Sequence, residues 1–330
     1  MNRTAFLSSK HLPWLGTLCC LLSAVGYTCA NICRRQLAGM GADTAWVVCL
    51  QETTAVMLLG PWFLWRISRG SSLTCSRRSL LILILAALAV QLLGNLGIQW
   101  SFGIVGLVVS LPMVFSAMLI GGTVIGVVVF SESLHPRSMV AVGIVIVSIG
   151  LLSWGGAEES QPLTASVGLP ITLLAIAAAG VGGITFATLG AALRHAAHAR
   201  IPVPLTVIIV TGTGTVSLGL LCLVRMGPSE MLATESTVWM WGGAAGLCNV
   251  AAFAFITKGM KLTTLVHANV LNASQVAMGA LAGIIVFQES WNPWLLAGIM
   301  LTITGIMLFG QPRNAPVPDQ LLGSVQEPTG

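Results

Sequence analysis

Apolar runs bounded by charges and turn residues recur ten times along the chain, at about 12–33, 45–65, 79–100, 104–130, 138–155, 168–193, 202–224, 238–257, 263–287 and 293–310. A helix needs about 20 apolar residues to cross a hydrocarbon core of roughly 30 Å, so the pattern predicts ten membrane-spanning helices. The tryptophans mark the ends of these runs: Trp14, Trp46, Trp62, Trp65, Trp100, Trp154, Trp239, Trp241, Trp291 and Trp294. An indole ring is apolar in body with one polar N–H, so it anchors at the interface. The first run follows Arg3 and Lys10 as a signal peptide would. No small-x-small cleavage site follows it before Arg34 and Arg35, so it is read as a retained span.

Composition strengthens the membrane reading. Hydrophobic residues make up 55% of the 330 and charged residues 8%, against about 25% charged in a soluble domain. The net charge of +5 is spread over short loops, with no basic block of the kind that binds nucleic acid. Of the cysteines, only Cys75 lies in a polar loop, and no C-x-x-C spacing suggests a disulfide framework, zinc site or other metal. Basic residues set the orientation. With a cytoplasmic N-terminus, 12 of the 15 Lys and Arg fall inside, including Arg66, Arg69, Arg77 and Arg78 beside Cys75. The positive-inside rule then puts both termini in the cytoplasm of a multi-pass cell-membrane protein, with a bacterial inner membrane expected. The polar, Pro-rich tail 311–330 is expected to be disordered.

The chain repeats itself. Phe130-Ser131-Glu132-Ser133-Leu134-His135-Pro136 returns as Phe287-Gln288-Glu289-Ser290-Trp291-Asn292-Pro293, 157 positions on. The same offset carries Gly122 and Gly126 onto Gly279 and Gly283, and Gly26 and Thr28 onto Gly183 and Thr185. Past the prolines the offset falls to 155, pairing Gly143 and Gly150 with Gly298 and Gly305. Each half, 12–155 and 168–310, holds five spans. Five is odd, so the copies must be oppositely oriented in the membrane. Inverted repeats are a transporter architecture with the substrate site near the midplane.

Two five-helix repeats, each with F-x-E closing its fourth span and glycines through its fifth, resemble the EamA-like transporters of the drug/metabolite transporter superfamily. The resemblance implies an all-α fold of ten helices and a central cavity lined by spans three, four, eight and nine. It further implies transport of a small molecule: amino acids, drugs, sugars or nucleotide derivatives. Pro112 matches a proline common in the fourth span of that family, whereas Asn269 stands at the related position of the ninth span. A backbone break at Pro112 therefore need not be mirrored.

Polar residues inside the spans are the candidate chemistry. Glu52, about 10 Å along span two from its outer end, is the acid set well inside a span. An intramembrane acid is a functional candidate by default, here for proton coupling. Desolvation makes a carboxyl group hold its proton, and a nearby cation opposes this. Arg34 and Arg35, at the end of span one, are the natural partners and candidate contacts for an anionic or zwitterionic solute; otherwise they snorkel to headgroups. Thr28, Asn31 and Arg35, spaced i, i+3, i+7, share one face. Asn269, Asn272 and Gln275 form a polar face in span nine beside His267, which is read as a bonded packing residue. Gln91, Asn95 and Gln99 form another in span three, and span eight adds Asn249. Asn31, Asn95, Asn249, Asn269, Asn272 and Gln275 are the candidate solute contacts, since amides both donate and accept without charge. The alternative for them is interhelical bonding. Gly122, Gly126, Gly279 and Gly283 are read as allowing spans four and nine to cross closely. Glu132 and Glu289 are read as structural residues at span ends.

No H-E-x-x-H, G-x-S-x-G or nucleotide-binding glycine loop occurs, so neither an enzyme nor a cofactor is expected. A secondary transporter, monomeric or homodimeric in the lipid bilayer, is the leading reading. A passive facilitator on the same scaffold is the alternative, ahead of a non-transporting receptor or enzyme.

Overall fold

Backbone N–H and C=O groups in lipid must be paired within the protein, and helices achieve this segment by segment. The structure, a computed structural model, describes residues 3–69, 76–131, 136–165, 168–199, 201–287 and 293–309. Every regular element among them is helical. In chain order they are α1 (Arg3–Gly39), α2 (Thr44–Ser68), α3 (Arg77–Ala89), a π-helical segment (Val90–Asn95), α4 (Leu96–Phe130), α5 (Pro136–Ala165) and α6 (Leu169–His198). There follow α7 (Val203–Arg225), a short α8 (Gly227–Leu232), α9 (Ser236–Leu262), α10 (Leu265–Asn272), α11 (Ser274–Phe287) and α12 (Pro293–Phe309). Cys75, Glu132, Glu289, the motif segments 132–135 and 288–292 and the tail 310–330 lie outside the described residues.

Seven stretches are long and apolar enough to cross a membrane: Trp14–Gly39, Thr44–Trp65, Arg77–Val105, Ser110–Phe130, Leu169–His198, Val203–Arg225 and Ser236–Leu262. The expected fifth and tenth spans appear as helices whose described apolar stretches, Met139–Leu152 and Leu296–Gly305, are shorter. The ninth is divided. Large side chains such as Val128, Val224, Ile285 and Met307 face outward at 74–85% exposure, as lipid-facing residues do.

Three local features shape the interior. The first is a reversal within α4. The Ser101 and Ser110 hydroxyls are 2.6 Å apart, whereas nine residues of straight helix rise about 13.5 Å. The chain therefore folds back between them, and this reversal separates the expected third and fourth spans. Pro112 follows the reversal, early in the outgoing arm, and the helix runs on through it. The second is the π segment, whose buried residues are Val90, Gln91, Gly94 and Asn95. The third is the division of the ninth span at Ala273, where the Ser274 hydroxyl donates to the Leu271 carbonyl at 2.6 Å. Such back-bonding competes with the helical ladder and bends it. The break thus falls in the half without the proline.

The principal packing partners are α1 with α9, α4 with α6, α2 with α7 and α5 with α12. Related glycines serve related contacts in two of these. A Cβ on Gly26 would lie 2.9 Å from Ala252 of α9, and one on Gly183 would lie 2.8 Å from Ala117 of α4. The fifth-span glycines differ. A Cβ on Gly298 or Gly305 would meet Leu152 or Val145 of α5 at 2.6 and 2.7 Å, while Gly143 and Gly150 have nothing within 4 Å. Gly122 of α4 lies against Asn269 of α10, and a Cβ on Gly279 of α11 would lie 3.9 Å from Leu111 of α4, so the fourth and ninth spans do meet. Gly126 is buried in α4, and Gly283 lies within α11.

Candidate functional site

One cavity gathers polar side chains from most of these helices. Tyr27, Asn31 and Arg34 come from α1, Gln51 and Glu52 from α2, Gln91 and Asn95 from the π segment, and Thr211 from α7. Asn249 comes from α9, Asn269 and Asn272 from α10, and Gln275 from α11. Phe102, Phe115, Phe186, Phe253, Met118 and Met260 supply apolar wall. The space enclosed, including the open mouth, is about 1060 Å³. An apolar concavity with a few convergent polar groups is the usual form of a small-molecule site.

Local structure explains the convergence. On α1, Tyr27, Ala30, Asn31 and Arg34 follow i, i+3, i+4, i+7 and so share a face. The π segment brings Gln91 and Asn95 to one side, where Asn95 Nδ2 donates to Gln91 Oε1 at 2.8 Å. Across the break in the ninth span, Gln275 Nε2 donates to Asn272 Oδ1 at 2.6 Å. Much of the amide capacity is thus used to hold the amides themselves in place. Two atoms are left over: Asn269 Nδ2, a donor, and Gln51 Oε1, an acceptor, are buried without a protein partner. A buried polar atom without a partner costs about 1–3 kcal/mol.

The charged pair is not an ion pair. Arg34 is 6% exposed and Glu52 3%, both on the cavity wall. Arg34 Nε and Nη2 both donate to Gln99 Oε1, at 3.0 and 2.8 Å, and the guanidinium lies 5.7 Å from the centre of the Phe102 ring. Glu52 Oε1 accepts from Gln51 Nε2 at 3.5 Å. Among the described residues, Arg34 makes no salt bridge to Glu52; the ion pair found there joins Arg225 and Asp43 at 3.4 Å, at the outer end expected from the basic residues.

Asn31, Asn95, Asn249, Asn269, Asn272 and Gln275 all line this one cavity, with Glu52 and Arg34. Arg35 does not: it is half-buried on α1, outside the cavity wall. The face that lines the cavity is Tyr27, Asn31 and Arg34 rather than Thr28, Asn31 and Arg35; the Thr28 hydroxyl donates to the Ala24 carbonyl of its own helix at 2.8 Å. Arg34 is held inward by Gln99 rather than reaching the headgroups. His267 bonds Thr17 Oγ1 through Nε2 at 3.1 Å and lies off the cavity, as a packing residue would. Tyr27 was not anticipated. It is the one tyrosine of the chain and stands seven residues before Arg34, a spacing that signals a shared face. Thr211 carried no such signal. No group of three or more His, Cys, Asp or Glu side chains among the described residues is arranged to hold a metal.

No curated protein matches the chain. A solved crystal structure, described only as that of a protein, superposes with a TM-score of 0.67 over 89% of this chain and 95% of its own. It is 16% identical and shows a shared fold. Residues 173–311 match the model of the EamA-like transporter family, and the chain, with seven helices long and apolar enough to cross a membrane among its described residues, is similar to multi-pass membrane proteins of that family.

Proposed function

We propose that the protein is a secondary transporter that moves a small polar metabolite, with amino-acid or metabolite export favoured, by alternating access between two inverted five-helix halves. The observation that carries this reading is the shared cavity. Glu52, Gln91 and Asn95 reach it from the first half, and Asn249, Asn269 and Gln275 from the second. A site built from both halves changes its exposure when the halves rock against each other. The packing supports two inverted halves. Exchanging them turns the α1–α9 pair into the α6 pairing with α3 and the start of α4, and leaves α2–α7 and α5–α12 paired with themselves. Glu52, the acid on the cavity wall, is the proposed proton carrier, and the excess of basic residues favours cytoplasmic termini.

The test is uptake of a mixed metabolite pool into proteoliposomes, with and without a proton gradient. Gradient-dependent accumulation of a solute is expected. Glu52→Gln keeps the shape and removes the titration, so accumulation should disappear while downhill exchange survives. Entry that ignores the gradient identifies a passive facilitator. Unchanged gradient-driven accumulation in Glu52→Gln removes Glu52 from the coupling.

A further inference from the structure

Two cavity groups lie against glycines of the opposite half. A Cβ built on Gly122 of α4 would overlap Asn269 Nδ2 of α10. A Cβ on Gly214 of α7 would lie 2.7 Å from Gln91 Nε2, 2.9 Å from Gln91 Cδ and 2.9 Å from Glu52 Cγ. Real Cβ atoms essentially never approach heavy atoms that closely, so a side chain must move. In both places the near atoms belong to side chains of the cavity group itself, not to backbone. Compare Gly183, where an added methyl meets the backbone of α4. A methyl at Gly122 or Gly214 therefore re-aims a cavity side chain instead of parting two helices. Gly212, on the same helix as Gly214, has nothing within 4 Å and supplies an internal contrast.

We infer that Gly214 is a positioning residue for Glu52: the bare backbone of α7 lets the carboxyl of one half and the Gln91 amide settle against the other half. The inference rests on the reading of Glu52 as the coupling group, but it concerns where that carboxyl sits and can be tested without transport. The other titratable or charged groups on the same cavity wall are Arg34 and Tyr27 of α1; Cys49, one turn before Glu52 on α2, is not among the lining residues. None of them supplies any of the three atoms nearest the added methyl. Gly122 has the reciprocal relation to Asn269 and leaves Glu52 alone.

The experiment is infrared spectroscopy of the purified full chain in lipid over a pH series. The carbonyl band of the protonated Glu52 carboxyl is assigned by its loss in Glu52→Gln. Gly214→Ala is expected to shift both the frequency of that band and the midpoint of its titration, while Gly212→Ala and Gly122→Ala leave both at the wild-type values. Should Gly214→Ala alone fail to fold, Gln91→Ala in the same chain removes two of the three atoms nearest the methyl. Glu52 Cγ remains, so the double variant must still differ from Gln91→Ala alone. A band and midpoint identical in Gly214→Ala and Gly212→Ala, or in the double variant and Gln91→Ala, overturns the inference. Gradient-driven transport that survives in Glu52→Gln, with the band shifts in Gly214→Ala intact, would instead refute the coupling reading and leave the positioning role standing.

Discussion

Arg34 shows how a single residue's surroundings decide its role. Its position near the end of the first span suits a headgroup anchor as well as a site residue, and the sequence offers Glu52 as its partner. The structure gives it Gln99 instead, with both donors on one carbonyl oxygen at 2.8 and 3.0 Å. A hydrogen bond to a charged group contributes about 1.5–3 kcal/mol. Gln99→Leu should therefore destabilise the protein by about that amount, read as a shift of the unfolding midpoint in detergent. An unchanged midpoint would mean that the Arg34–Gln99 contact contributes nothing. The amides were legible because each stands as a lone polar residue in an apolar run, which selects it whatever its partner. Their facing was less legible. The helix-wheel face of Thr28, Asn31 and Arg35 shares only Asn31 with the cavity wall, where Tyr27 and Arg34 stand on either side of it; a threonine can satisfy its hydroxyl on its own helix, as Thr28 does.

At the scale of elements, glycines record helix contacts unevenly. Gly26 and Gly183 are related by the repeat and each admits a neighbouring helix; Gly143 and Gly298 are also related, yet Gly298 alone does so. Gly183→Ala should cost about 1–3 kcal/mol, as overpacking against backbone does. Gly143→Ala should be neutral or stabilising by up to about 1 kcal/mol, because alanine favours helix over glycine. Thermal unfolding of the two variants in lipid or detergent checks this, and equal losses would contradict the packing described. The helix count was read from apolar runs, which mark where chain can lie in lipid. Irregularities within the runs were not. The break at Ala273 depends on a serine bonding back to its own helix, and the π segment includes Gly94, which lies against Thr185 of α6. Neither leaves a periodic trace. The one proline that advertised a break, Pro112, sits after a chain reversal instead.

For the whole molecule, the two halves are joined differently at the two ends of the helices. At one end Asp43 caps α2, accepting from the Ala45 and Trp46 N–H groups at 2.9 and 3.0 Å, and pairs with Arg225 at 3.4 Å. Trp46 Nε1 donates to Thr234 at 3.0 Å beside it. At the other end Ser79 meets His195 at 3.2 Å and Thr17 meets His267 at 3.1 Å. The proposed alternating access would have one set part while the other holds. The repeat is read from a sequence motif that recurs as a block, whereas these cross-half contacts join residues unrelated by it. The central claim is that solute passes through the cavity the two halves share. It is tested most directly by loading proteoliposomes with wild-type protein or with Asn269→Leu, which removes the unpaired buried donor at similar volume, and measuring uptake from one metabolite pool by mass spectrometry. At least one solute should accumulate with the wild type and fall to the protein-free level with Asn269→Leu. Equal uptake by the two proteins, or none by the wild type, would contradict the account.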